Sequence, residues 1–420
     1  MKFLHCADIH LDSPLLGLEG YDGAPVGDIR GATRKAFARL IEQALSERVA
    51  FLLIAGDLYD GDLPDYHTAL FFARQMNLLR EANIPVYIVK GNHDAANRIT
   101  KTLKPPDNVH IFRDDAPSTK LVPGLDVVIH GQSFATPDVS TDLAAGYTPA
   151  VPGKLNIGLL HTCLAGGEGH LPYAPTTLQV LSAKNYDYWA LGHVHRRSIV
   201  CRNPWVVFPG NLQGRHARET GEKSFEIVSF EADKVVSVEP QSVAAVLWQQ
   251  VDIDASTAAN RDAVLEKIQD ALRSVVANED RLCCIRVQVF GATPAHAAIA
   301  SDPMRFHNEV RACAFEVAAD QIWIEQVKVA TSPSVQLEQL LRRNDPLAEV
   351  VRQFSVARQD AGLQQQLVAS LSDLQQKLSL FPELAYGPDA RRLDSPDYLA
   401  QMLEEAQSDF LARMLPGEEQ

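Results

Sequence analysis

Eight residues of this chain are of types that could do chemistry together: Asp8, His10, Asp57, Asn92, His93, His161, His193 and His195. All but His161 fall in four short segments: Ala7-Asp8-Ile9-His10, Gly56-Asp57-Leu58-Tyr59-Asp60, Gly91-Asn92-His93-Asp94 and Gly192-His193-Val194-His195. Imidazole, carboxylate and amide oxygen make a mixed nitrogen and oxygen donor set. Such a set suits manganese, iron or zinc, and no thiolate joins it to favour zinc or copper(I). Seven ligands of this kind exceed the need of one ion and suffice for two, with one carboxylate bridging. Metal pairs about 3.5–4 Å apart are a recurring device for phosphoester cleavage. Taken singly, each residue has an ordinary reading: Asp57 as a helix N-cap, Asn92-His93 as a turn, His193 and His195 as solvated strand ends. All of those readings would have to hold at once.

The elements that must position these residues are legible. Candidate strands cover residues 2–7, 50–55, 86–90, 127–131, 157–160, 188–191 and 206–208. Several are continuous β-branched or Leu-rich runs, as buried strands should be. Each motif directly follows one of them, and His161 follows the run 157–160. In α/β folds ligands bind at the carboxyl ends of strands, so segments far apart in sequence can converge on one rim. Helical periodicity spans about 31–48, with Phe37, Leu40, Ile41, Ala44 and Leu45 on one face, and about 65–82. Residues 136–153 read as a long surface loop.

From residue 245 the pattern becomes β-α-β-α-β: strands at 247–252, 281–289 and 322–329, helices at 261–276 and 303–318. This predicts a small α/β domain. From residue 334 the pattern is wholly helical, with a Pro-containing break at 381–388 and a last helix over 396–414. Residues 361–420 hold ten acidic and four basic side chains, a net of −6. That run fits either a solvated helical face or a docking element for another protein.

Bulk properties exclude some classes. The chain has 420 residues, 46% of them hydrophobic, which allows large cores in two or three domains. No apolar run reaches the ~18 residues of a membrane span, and the N-terminus lacks the apolar core of a signal peptide. A cytoplasmic location is the default expectation. Six scattered cysteines without a CxxC pair fit reduced thiols rather than a structural zinc site. A formal net charge of −14 argues against broad nonspecific nucleic-acid affinity, though not against a local basic track.

The ordered blocks DxH, GDxxD, GNHD, H and GHxH resemble the signature of the calcineurin-like metallophosphoesterases. The fuller stretches His5-Cys6-Ala7-Asp8-Ile9-His10-Leu11-Asp12-Ser13-Pro14 and Pro209-Gly210-Asn211-Leu212-Gln213-Gly214-Arg215-His216 are similar to the bacterial DNA repair exonuclease branch, the SbcD- and YhaO-like proteins. The resemblance covers residues 1–230 and is architectural over 245–330. It implies an α/β chain with a four-layer-type β-sandwich flanked by helices over 1–235, a small α/β capping domain over 245–330 and a helical C-terminal region over 334–420. By the same resemblance, Asp8, His10 and His195 would hold one metal, Asn92, His161 and His193 the other, and Asp57 would bridge. His93 would contact the substrate phosphate or protonate the leaving oxygen, with Asp60 orienting it. The implied cofactors are two divalent ions, manganese foremost, while iron and zinc stay compatible with the donor set. The implied reaction is in-line attack on phosphorus by a hydroxide bridging the two ions. The implied partners are DNA, a coiled-coil SMC-like ATPase of the SbcC or YhaN kind docked at the acidic tail, and a second copy of the chain.

The substrate needs separate evidence. Residues 193–223 contain Arg196, Arg197, Arg202, Arg215, Arg218 and Lys223 against Glu219 and Glu222, a local net of +4. Of these, Arg196, Arg197, Arg215 and Arg218 are the candidate DNA contacts, and Arg98, Lys101 and Lys104 could extend the track. The sequence therefore predicts a metal-dependent phosphodiesterase acting on DNA as an exo- or endonuclease. The alternative is a phosphoesterase for small diesters or phosphoproteins with no nucleic-acid role.

Overall fold

The computed structural model describes residues 1–15, 23–60, 66–96, 105–164, 173–334, 340–370 and 396–414. Its contacts divide the chain into two units, Met1–Gln249 with Asp280–Cys284, and Gln250–Glu279 with Ile285–Gln420.

In the first unit the described strands are β1 (Lys2–Cys6), β2 (Leu52–Ala55), β3 (Val86–Val89), β4 (Val109–Ile111), β5 (Ser118–Leu121), β6 (Val127–Gly131), β7 (Leu155–His161), β8 (Tyr188–Gly192), β9 (Ser198–Arg202), β10 (Trp205–Phe208), β11 (Ser224–Glu231) and β12 (Lys234–Ser242). The helices are α1 (Val26–Ser46), α2 (His67–Glu81), α3 (Asn92–Ala96) and α4 (Leu178–Ala183). One sheet has the order β12-β11-β1-β2-β3-β4 and the other β5-β6-β7-β8-β10-β9. In each, four adjacent strands run parallel: β1 to β4 in the first, and β6, β7, β8 and β10 in the second. Antiparallel strands flank them, β11 beside β1, β5 beside β6 and β9 beside β10.

Alternating side chains explain the layers. Phe3, Phe51, Leu53, Tyr87 and Val89 of the first sheet pack with Ile129, Ile157, Leu159, Tyr188 and Val207 of the second. The Phe3 and Phe51 rings stack at 4.8 Å, and Tyr188 meets Phe3 edge-on at 5.4 Å. Their neighbours Leu4, Cys6, Leu52 and Ile54 point the other way, onto α1 and α2. Leu160, Trp189 and Leu191 cover the outer face of the second sheet with Leu181 of α4. The result is helices, sheet, sheet, helices, the four-layer sandwich that the family resemblance implies. Because β1, β2 and β3 are parallel, as are β7 and β8, all five motifs emerge at strand carboxyl ends.

Helix α1 begins at Val26, earlier than periodicity suggests. Gly27 and Gly31 weaken the local signal, but burial of Ile29, 2% exposed, extends the helix by packing. In the second unit and at its boundary, β13 (Val246–Asp254), β14 (Leu282–Thr293) and β15 (Ile322–Pro333) form a three-stranded sheet in that order. Helices α5 (Arg261–Val276), α6 (His296–Ala300) and α7 (Pro303–Ala318) accompany it. Asn260 and Asp302 cap α5 and α7, their side chains accepting from Ala263 and Arg305 backbone N–H groups. Helices α8 (Pro346–Gln359), α9 (Ala361–Ser370) and α10 (Pro396–Met414) follow. Leu340, Val351 and Leu411 share a small core there, and Phe354 lies 6.1 Å from Phe410. The expected break at 381–388 and the cations Arg98, Lys101 and Lys104 lie outside the described residues.

Candidate metal centre

The backbone around the motifs is unusual. Asp8, His10, Asp57 and His193 all have positive φ, at 49°, 46°, 51° and 102°. Non-glycine residues avoid that region at a cost of roughly 1–3 kcal/mol each, and such strain collects at functional sites. Tight interlocking holds it in place. The Asp8 and His10 N–H groups donate to Gly56 and Asp57 carbonyls, both at 3.0 Å. The glycines before the motifs permit close approach: a Cβ on Gly192 would collide with the Ala55 carbonyl, and one on Gly91 with the Asp57 carboxylate. Asp94 accepts from Leu58, Tyr59 and Gly91 N–H groups at 2.9–3.2 Å, which ties the turn after β2 to the turn after β3.

Three donor clusters result, each with its atoms within 4.8 Å: Asp8, His10 and His195; Asp8, Asp57 and His161; His10, Asp60 and His93. Asn92 Oδ1 lies 3.1 Å from His161 Nε2, and Asp57 Oδ2 lies 3.4 Å from it. Asp57 Oδ2 also lies 3.9 Å from His10 Nε2, so this carboxylate stands between the two groups. His193 is placed beside them, its ring 5.2 Å from that of His161 and 5.5 Å from Tyr173. Its backbone N–H donates to both oxygens of Asp8, at 3.0 and 3.1 Å.

Hydrogen bonding fixes which nitrogens face the centre. His161 Nδ1 donates to the Ala55 carbonyl at 2.9 Å, so its Nε2 is the nitrogen that faces Asn92 and Asp57. His195 Nδ1 donates to Glu219 Oε1 at 2.7 Å, and its Nε2 faces His10 Nε2 at 3.3 Å. Acceptors therefore converge where a cation would satisfy them. Donors about 2.0–2.2 Å from one ion stand roughly 2.8–3.6 Å apart; Asn92–His161, His10–His195 and Asp57–His161, at 3.1, 3.3 and 3.4 Å, lie in that range, and Asp57–His10, at 3.9 Å, lies just beyond it. The residues present fit a pair of divalent ions.

Two family models match the chain: Calcineurin-like phosphoesterase over residues 1–197, and Metallophosphoesterase YhaO, middle domain, over residues 248–332. The uncharacterized metallophosphoesterase YhaO of Bacillus subtilis (strain 168) is 35% identical over 298 residues, 70% of this chain and 72% of that protein. The chain belongs to the calcineurin-like metallophosphoesterases. The DNA double-strand break repair protein Mre11 of Methanopyrus kandleri is 24% identical over 271 residues, 57% of this chain and 56% of that protein. The SbcD component of the nuclease SbcCD of Staphylococcus saprophyticus is 25% identical over 265 residues, 56% of this chain and 67% of that protein.

The electrostatics suit a metallophosphoesterase. Burial raises the Asp8 carboxyl above its ordinary range, with the histidines opposing. Burial would also raise Asp57, but the charge and hydrogen bond of His161 outweigh it and hold Asp57 low. Burial would lower His161, yet Asp57 prevails and lifts it to about 9.

Of the other predicted residues, His93 and Asp60 lie together, while Arg197 and Arg215 are tied to carboxylates. His93 is half-exposed at the rim, and its Nδ1 lies 2.8 Å from Asp60 Oδ1. Asp60 also accepts from Ser13 Oγ at 2.5 Å. Arg197 forms a bidentate pair with the buried Glu226, at 2.6 and 3.0 Å. Arg215, 15% exposed, reaches Asp60 and Glu219 at 3.4 and 3.3 Å and faces away from solvent. Arg196 and Arg218 are exposed. Glu219 has no sequence signal beyond its count against the basic patch: it lies 24 residues from His195, in an irregular loop.

Proposed function

We propose that this chain is a two-metal phosphodiesterase acting on DNA. The observation that carries the reading is the pair of adjoining clusters Asp8–His10–His195 and Asp8–Asp57–His161, with Asp57 Oδ2 3.4 Å from His161 Nε2 and 3.9 Å from His10 Nε2. Asp8, His10 and His195 would hold one ion, and Asn92, His161 and His193 the other, with Asp57 shared. When bound, such ions polarise phosphate oxygens and lower the pKa of water; manganese is the ion proposed.

The chain's own residues supply orientation and a proton. Asp60 fixes the His93 ring through Nδ1, which leaves Nε2 for the substrate side. The hydrogen bond that His93 Nδ1 donates to Asp60 raises the imidazole above its ordinary value, which favours the protonated form that a general acid needs. The exposed Arg196, next to His195 in sequence, and the exposed Arg218 offer cations for a phosphate backbone. The names of the Mre11 and SbcCD relatives, a DNA double-strand break repair protein and a nuclease subunit, favour DNA as substrate and a partner subunit.

A second reading, a small-diester phosphoesterase, is favoured by one observation: Arg197 and Arg215 are paired with carboxylates, which leaves fewer free cations for a polymer. Purified protein with manganese should degrade linear single- or double-stranded DNA. Cleavage of bis-p-nitrophenyl phosphate without any action on DNA would favour the second reading. Among the described residues no helix is long and apolar enough to cross a membrane.

A further inference from the structure

The loop after β10 places a carboxylate and a guanidinium behind the donor groups. Glu219 is 9% exposed, and both its oxygens are engaged. Oε1 accepts from His195 Nδ1 at 2.7 Å, while Oε2 accepts from the Arg215 N–H at 2.8 Å and from Asn211 Nδ2 at 3.0 Å. Asn211 is itself buried, and its N–H donates to the His195 carbonyl at 3.3 Å. The loop is wound tightly here: a Cβ on Gly214 would stand 2.7 Å from the Glu219 carbonyl. Glu219 is therefore held by loop backbone on one side and holds an imidazole on the other.

Arg215 spans two carboxylates. One terminal nitrogen lies 3.3 Å from Glu219 Oε1 and the other 3.4 Å from Asp60 Oδ2. Asp60 in turn serves His93 Nδ1 at 2.8 Å and stands 3.4 Å from His10 Nδ1. The path His195–Glu219–Arg215–Asp60–His93 thus crosses the back of the site with no gap longer than 3.4 Å. A planar fork can bridge two carboxylates in this way; a lysine's single ammonium cannot hold the same geometry. A metal-ligating histidine whose other nitrogen is fixed by a carboxylate is a better oriented and more basic ligand, and losing that partner typically weakens metal binding about 10–100-fold.

We infer that Glu219 and Arg215 form a positioning clamp: Glu219 aims His195 Nε2 into the metal site, and Arg215 locks Glu219 to Asp60, so the His195 and His93 walls move as one. Arg215 is then a positioning residue, and not the DNA contact that its place in the basic patch suggests. The inference rests on the metal-site reading proposed above.

The test uses the full chain, manganese titration by calorimetry, and steady-state kinetics on both bis-p-nitrophenyl phosphate and linear DNA. In Glu219→Gln, one of the two manganese-binding steps should weaken about 10–100-fold while the other stays unchanged. In Arg215→Lys, kcat on the small diester should fall severalfold at unchanged KM, and the KM for DNA should not rise. Melting curves of the metal-free variants report whether each folds, and Arg215→Lys serves where Glu219→Gln does not. Equal manganese binding by wild type and Glu219→Gln overturns the clamp. So does an Arg215→Lys variant with normal turnover of the small diester and a raised KM for DNA, which would restore Arg215 as a substrate contact. If the wild type itself binds fewer than two ions, the metal-site reading fails first, and the clamp falls with it.

Discussion

The inner wall of the donor cluster and its rim are built by different means. On the inner wall, Asp8, Asp57 and His161 are at most 1% exposed, and main chain orients them: Ala55 O holds His161, His193 N–H holds Asp8, and His93 N–H holds Asp57. At the rim, the side chains of His93 and His195 are 39% and 23% exposed, and the carboxylates of Asp60 and Glu219 orient them. Backbone orientation cannot be removed by changing one side chain. The inner wall is therefore a fixed frame, and the rim is where substitution can tune position and proton affinity.

Removing the shared carboxylate should have the largest effect. Asp57→Asn should abolish turnover and destroy the two-step manganese isotherm, since it withdraws a charge placed between both groups. A variant that still bound two ions would break the contrast, because it would make Asp57 no more than a turn residue. His93→Ala should come next. It should lower kcat about 10²–10⁴-fold with both ions retained, as for loss of a general acid. Metal loss in that variant would mean that the rim histidine belongs to the inner set.

A backbone change tests the frame itself. In Gly192→Ala the new methyl meets the Ala55 carbonyl. It should destabilise the metal-free protein by about 1–3 kcal/mol, as overpacking does, seen as a lower urea midpoint. Added manganese should recover part of that loss by mass action. An unchanged midpoint would show that the inner wall yields more easily than its contacts imply.

The same contrast explains what the sequence made legible. The inner wall follows continuous apolar strands, and its glycines mark where main chain must approach closely, so the motif text carries the geometry. The rim depends on pairs remote in sequence, His195 with Glu219 and Asp60 with Arg215, and no local pattern signals which cations face solvent. Arg197 and Arg215 counted toward the basic track, although Glu226 and Asp60, outside the stretch counted, pair with them, as does Glu219. Strands with one or both faces open to solvent escaped for a related reason. β5 and β12 bury few side chains and lack the apolar run that reveals β2 or β7.

The smallest expected effect lies outside the rim, at Arg196 and Arg218. Both are exposed, and neither holds a metal-site residue in place, so alanine there should leave the manganese isotherm and turnover of bis-p-nitrophenyl phosphate unchanged. If DNA runs across this edge, each substitution should raise the KM for DNA modestly and lower the slope of log affinity against log salt by about one phosphate contact. The loss should be uniform across DNA sequences, because phosphate contacts carry no base information. Arg215→Gln, which removes the charge, provides the internal control, since it should move turnover and leave the salt slope alone. A salt slope that responds to Arg215 but not to Arg196 or Arg218 would reverse the division between the positioning rim and the substrate edge.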